Sequence, residues 1–173
     1  MESNERQHRR KLARWCRTEL ERLGVHPPLD FEQLRQAIEK RRGKPLRFVA
    51  YPLRTDVFGL WLSYDEDWIL YQSATVPAHQ RTILLHELGH VLLEHTSDEV
   101  DREALQTIFP AVPASFIQAV LRRSCYDEAH EHEAEAFADM IGLWDQRVMQ
   151  VAPPSDATVR EFDAAVLGKL AIR

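Results

Sequence analysis

Apolar residues recur at three- and four-residue spacing from Glu5 to Leu23. Leu12, Trp15, Cys16, Leu20 and Leu23 share one side and arginines occupy the others, a pattern that predicts an amphipathic helix. Gly24 ends it and His26-Pro27-Pro28 is a turn. Asp30 is placed to cap a second helix, Phe31 to Arg42, with Phe31, Leu34, Ala37 and Ile38 as its stripe and Gly43 as its stop. Past Pro45 the period changes to short aromatic and β-branched runs, Leu46–Tyr51, Phe58–Tyr64 and Trp68–Gln72, with Asp65-Glu66-Asp67 as a turn between the last two. These predict a small three-stranded antiparallel sheet. From Pro77, a favourable first-turn residue, a helix runs through Ile83, Leu84, Leu85, Leu88, Val91 and Leu92 to about Glu94. It is apolar on most sides and therefore central. Asp98 to Ile108, Pro113 to Arg123, Asp127 to Leu143 and Asp156 to Leu170 also read as helices, separated by Pro110, Pro113 and Pro153-Pro154. The fold class is α+β and mainly helical.

At 173 residues the chain can bury a continuous core without covalent staples, so a metal, if held, is expected to serve function rather than folding. The net charge of −5 argues against a general nucleic-acid or anionic-membrane binder. It conceals a split, because residues 1–50 carry 13 Lys and Arg against 7 Asp and Glu, and residues 51–173 carry 9 against 20. Cys16 and Cys125 match no redox or paired-ligand spacing, so both read as buried thiols in a reducing compartment. With no run approaching about 18 apolar residues and no signal-peptide core at the N-terminus, the expected location is cytoplasmic.

The chemistry is concentrated in His86-Glu87-Leu88-Gly89-His90. On a helix, histidines at i and i+4 stand about 40° apart and can reach one Zn²⁺. Glu87 lies about 100° from His86, near enough to serve a water at the metal without being a ligand. Zinc lowers the pKa of a water it binds toward about 7, and Glu87 can take the proton released as that water attacks a carbonyl. Burying two imidazoles and a carboxylate unpaired inside an apolar helix would cost several kcal/mol, which favours a metal site over a chance match.

A third ligand is needed. The astacin-like extension requires Gly and His three and six residues after His90, where Leu93 and Thr96 stand, and the cysteine setting of peptide deformylases is absent. Glu94 lies about 12 Å along the helix axis from His86, too far to share the ion. The other acidic, histidine-rich segment is Tyr126 to Ala138. There Ala134, Phe137, Ala138 and Ile141 form the apolar stripe, Asp127 and His130 fall within it, Glu131 lies at its edge, and Glu133 points away. Asp127, His130 and Glu131 all remain in contention, whereas Glu128, His132 and Glu133 fit a solvated face.

His-Glu-Leu-Gly-His preceded by a strand and Pro77-Ala78-His79-Gln80-Arg81, with Glu-Xaa-Glu-Ala-Xaa-Xaa-Phe-Ala about 40 residues later, resembles the ImmA/IrrE-type metallo-endopeptidases over residues 46–142. The resemblance implies a zincin-like domain in which His86, His90 and Glu131 hold Zn²⁺ and Glu87 is the general base. It also implies a cytosolic protease whose protein substrate is a helix-turn-helix repressor or antitoxin-like regulator encoded nearby. Three positions depart from the family pattern: Glu135 replaces the usual Asn or Asp, Met140-Ile141-Gly142-Leu143-Trp144 replaces Leu-Leu-Met-Pro, and Glu94 occupies the place of a common histidine, with His95 one step late.

The expected organisation is one domain. Residues 1–44 form a basic hairpin, 45–145 the sheet and the metal-binding helices, and 146–173 a C-terminal helix. Substrate is expected to pair with a sheet edge at Trp68–Gln72, and Tyr126, His130 and His132 are candidates for stabilising the oxyanion, Tyr126 foremost. Trp15, Trp61, Trp68 and Trp144 read as core. Arg9, Arg10, Arg14, Arg17, Arg41 and Arg42 form a solvated face rather than a nucleic-acid surface. The competing reading is a metal-stabilised regulatory module or toxin component that binds its partner without turnover.

Overall fold

A computed structural model describes residues 2–53, 57–63, 65–95, 128–144 and 156–170. The helices predicted at Asp98–Ile108 and Pro113–Arg123 lie outside them, as do Tyr126, Asp127 and Cys125. The described elements run α1 (Glu2–Arg22), α2 (Phe31–Arg42), β1 (Leu46–Tyr51), β2 (Gly59–Ser63), β3 (Asp67–Gln72), α3 (Pro77–Leu93), α4 (Glu128–Gly142) and α5 (Asp156–Leu170). The architecture is α+β and mainly helical.

Local signals end the helices as expected. The Asp30 carboxylate accepts from the backbone N–H groups of Glu32 and Gln33, and Gly43 closes α2 at φ 70°, a left-handed conformation that suits glycine. Pro77 stands in the first turn of α3, where its missing N–H costs nothing. The Gln80 side-chain amide then donates to the carbonyls of Gln72 and Ser73, fixing the start of α3 to the end of β3.

The sheet is mixed, which corrects the antiparallel expectation. Strand order is β1-β3-β2; β2 and β3 form the antiparallel hairpin, Leu60 opposite Leu70, while β1 joins β3 in parallel, Val49 opposite Leu70. Trp68–Gln72 is therefore within the central strand and offers no free edge. Both faces are covered. Leu46, Ala50, Trp61, Ile69 and Tyr71 pack with α1–α4, whereas Val49, Leu60, Leu62 and Leu70 form a smaller core closed by Phe162 of α5. Burial on both faces accounts for the nearly continuous apolar runs in β2 and β3. Of the four tryptophans, Trp61 and Trp144 are buried, but Trp68 is half-buried and Trp15 is 40% exposed.

Asp67 ties α2 to the sheet. It is fully buried, accepts from Trp61 Nε1 at 3.0 Å, and is paired with the Arg42 guanidinium and with Lys44 Nζ at 3.2 Å. The basic N-terminal segment is partly neutralised within the chain: Arg9 pairs with Asp139, Arg41 with Glu19 and Glu94, and Arg42 with Asp67.

Candidate metal centre

Helix α3 is largely buried from Ile83 to Leu92, and α4 crosses it where even a Cβ would be tight. A Cβ on Gly89 would stand 3.1 Å from the Ala134 Cα and 3.1 Å from Phe137 Cδ1. The pairing of Gly89 with Ala134 lets the two helices approach closely, and this brings α4 within reach of the histidines of α3. His86, His90 and Glu131 converge there, each offering a ligand atom within 4.8 Å of the others. His86 Nε2 is 3.2 Å from Glu131 Oε2, His90 Nε2 is 3.6 Å from Glu131 Oε1, and the two Nε2 atoms are 3.0 Å apart.

The electrostatics prepare these atoms differently. Burial, with the neighbouring His86, His95 and His130, lowers the His90 pKa to about 2, so this imidazole is neutral and has a lone pair to give. Burial also opposes charge on His86, but the hydrogen bond to Glu131 and the carboxylates of Glu87, Glu131 and Glu135 prevail and raise its pKa. Two imidazoles and a carboxylate gathered in this way could hold a metal ion.

Glu87 stands beside this group without joining it. Desolvation raises its pKa to about 7, with His86 opposing and Glu131 reinforcing the shift, and its Oε2 is buried without a hydrogen-bond partner among the described residues. A buried acceptor of this kind is costly unless a ligand or substrate completes it. The wall above Glu87 is the backbone of β2. A Cβ on Gly59 would overlap Glu87 Oε1 and stand 2.7 Å from Ile83 Cγ2. Between β2 and α3 opens a cleft of about 500 Å³, walled by Val57, Phe58, Leu60 and Ile83 and floored by His86, Glu87, His90 and Glu131.

Of the contested ligands, Glu131 is brought to the histidines, and His130 instead stacks on His95 at 4.3 Å between ring centroids. His132 is exposed; neither it nor His130 lines the cleft. Sequence reasoning missed three residues. Glu133, assigned to a solvated face, has its Oε2 3.1 Å from His95 Nε2, and His95, given no role, is buried with Nδ1 2.9 Å from His90 Nδ1. Gly59 carried no sequence signal beyond being a glycine that opens a strand.

No protein-family model, curated protein or solved structure matches the chain. Among the described residues no helix is long and apolar enough to cross a membrane.

Proposed function

We propose that the chain is a zinc-dependent endopeptidase. The observation that carries this reading is Glu87, a buried carboxylate with a pKa near 7, an Oε2 without a partner among the described residues, and a place on the cleft floor beside His86, His90 and Glu131. A structural carboxylate in a core would be paired; a general base has to be desolvated, free to accept, and poised near the working pH.

His86, His90 and Glu131 would hold the ion, and their nitrogen and oxygen donors fit Zn²⁺. When bound, zinc supplies Lewis-acid polarisation of the scissile carbonyl and acidifies water. The rest falls to the chain. Glu87 accepts the proton of the attacking water at its carboxylate and passes it to the departing amine nitrogen. The substrate segment is held extended along β2, an edge strand among the described residues, whose Gly59, Leu60 and Trp61 line the cleft. Backbone pairing there gives affinity that depends little on side chains, and Phe58, 51% exposed at the rim, adds an apolar contact. The order of the two motifs, with its resemblance to ImmA/IrrE-type peptidases, supports a helix-turn-helix repressor or antitoxin-like protein as substrate.

The test pairs metal analysis with cleavage of a helix-turn-helix protein encoded beside this gene. Wild type is expected to bind one zinc and process the partner. Glu87→Gln should keep the zinc and lose processing by at least about 10²-fold. A Glu87→Gln protein that still cleaves overturns the mechanism, and one that acts on its partner as well as wild type without cleavage identifies a stoichiometric module instead.

A further inference from the structure

The geometry points to His95 and Glu133 as positioning residues that orient His90 for metal through a one-directional chain of hydrogen bonds. This inference rests on the metal-site reading above and extends it beyond the three ligands.

The chain begins in the backbone. Helix α3 ends at Leu93, and Glu94 adopts the left-handed conformation at φ 56° and ψ 35°. That reversal turns the next residue back under the helix, where the His95 N–H donates to the His90 carbonyl at 3.0 Å. The side chain follows. His95 is 4% exposed, and its Nδ1 lies 2.9 Å from Nδ1 of His90, while its Nε2 lies 3.1 Å from Glu133 Oε2.

Only one arrangement of protons uses all these contacts and leaves His90 able to ligate. His90 Nε2 faces His86 and Glu131, so it must present a lone pair, and the ring proton must sit on Nδ1. His90 Nδ1–H then donates to His95 Nδ1, which must be bare. The His95 proton is thereby assigned to Nε2, where it donates to the Glu133 carboxylate. Each link fixes the next. A carboxylate at the far end polarises both rings toward His90 Nε2, fixing its tautomer and raising its basicity, which is the known effect of a hydrogen-bonded partner behind a metal-bound imidazole.

The surroundings make the arrangement specific. His130 stacks on the His95 ring with 29° between planes, restricting its rotation, and His8 of α1 approaches Glu133 Oε1 at 3.9 Å. Helix α4 thus contributes twice. Glu131 meets the histidines directly, and Glu133, two residues on, reaches His90 through His95.

The experiment uses the full chain, zinc as the probe, and a competing chromophoric chelator. His95→Phe keeps the ring and its stacking on His130 but removes both nitrogens, and is expected to weaken zinc binding about 10–100-fold. His95→Gln, which offers an acceptor and a donor, should recover part of the loss. Glu133→Ala, at a half-buried position, should weaken zinc several-fold. In ¹⁵N spectra of the zinc-loaded wild type, the proton should reside on Nδ1 of His90 and on Nε2 of His95. A purely structural role for His95 would leave that tautomer pattern untouched in Glu133→Ala; the chain predicts that the His95 Nε2–H signal shifts. Zinc affinity in both His95→Phe and Glu133→Ala within twofold of wild type, or a proton on Nε2 of His90, overturns this inference alone. Zinc binding that survives the loss of both His86 and His90 overturns the metal-site reading on which it rests.

Discussion

Gly59 and Glu87 meet so closely that the strand backbone forms one wall of the carboxylate's pocket, leaving no space for a methyl group between them. The contact links two properties of the site. It shields one side of Glu87 from water, in keeping with the raised pKa, and it sets the start of the edge strand directly over the carboxylate proposed as general base.

Gly59→Ala is therefore expected to destabilise the fold by about 1–3 kcal/mol, the usual cost of forcing volume into a packed interior. Because relief requires moving either β2 or Glu87, hydrolysis should fall by more than the loss of folded protein explains. Urea unfolding, read beside turnover under conditions where the variant is fully folded, separates the two. An alanine variant with wild-type stability and turnover would show that the strand yields freely.

Gly89 makes the corresponding contact on the other side of α3. A methyl there would press on the backbone of Ala134, which cannot swing aside as a side-chain tip can. Gly89→Ala should push α4 outward and carry Glu131 away from His86 and His90. The expected outcome is zinc binding weakened at least about tenfold, with helix content retained by circular dichroism. Unchanged affinity would mean that Glu131 does not depend on this crossing.

How much of this was legible in the sequence depended on the range of the interactions. The hairpin of β2 and β3 is local, signalled by short aromatic and β-branched runs on either side of Asp65-Glu66-Asp67, and the two strands pair antiparallel, with Asp67 drawn into β3 opposite Ser63. The partner of β1 is not local. Nothing in Leu46–Tyr51 distinguishes pairing with β2 from pairing with β3, and the parallel join to β3 is a long-range contact that no local pattern signals. His86, Glu87 and His90 were legible because helical spacing alone places them together. Glu131 is one of three candidates in the sequence, and the Gly89–Ala134 crossing is what brings it to the histidines, while Asp127 lies outside the described residues. Helical spacing extended past Leu93 gives His95 no place at the site, whereas a left-handed residue at Glu94 ends that spacing; Glu133 lies off the apolar stripe of α4 and so reads as solvated, although His95 meets it there.

Cys16 offers a test of the core that is independent of the metal. Its side chain is fully buried, and desolvation, reinforced by Glu133 and Glu19 against a backbone hydrogen bond, pushes the thiol pKa up to about 12. At pH 8 the native thiol should be almost inert to iodoacetamide, labelling only at the rate at which the protein opens, whereas in urea it should label fully. Since the folded pKa exceeds the unfolded one, the stability it contributes is complete below about pH 8.5 and is lost as pH rises toward 12. Peptide mapping after timed labelling distinguishes position 16 from Cys125. Rapid native labelling at position 16 would contradict the packing of α1 on α4.

The join between α2 and the sheet should dominate acid stability. Burial alone would raise the Asp67 pKa, but hydrogen bonds from Arg42, Ser63 and Trp61 and the Arg42 charge outweigh it and hold the carboxyl below its ordinary value. A lowered carboxylate pKa contributes stability that is present above the unfolded pKa, about 3.9, and is lost as pH falls through the folded value. Asp67→Asn removes the charge that both Arg42 and Lys44 face at partly buried positions. The expected loss at neutral pH is about 3–5 kcal/mol, because the guanidinium is left without its counter-ion in a site that water reaches poorly. As pH falls below about 4, wild type should lose this advantage and its urea midpoint should converge on that of the variant. The same substitution replaces the carboxylate that accepts from Trp61 Nε1 by a weaker, neutral amide acceptor, and the Trp61 ring, 5.0 Å from Arg42, also lines the cleft. Substrate affinity should therefore weaken in the variant at neutral pH even where it is fully folded, while zinc affinity, set by α3 and α4, stays at the wild-type value.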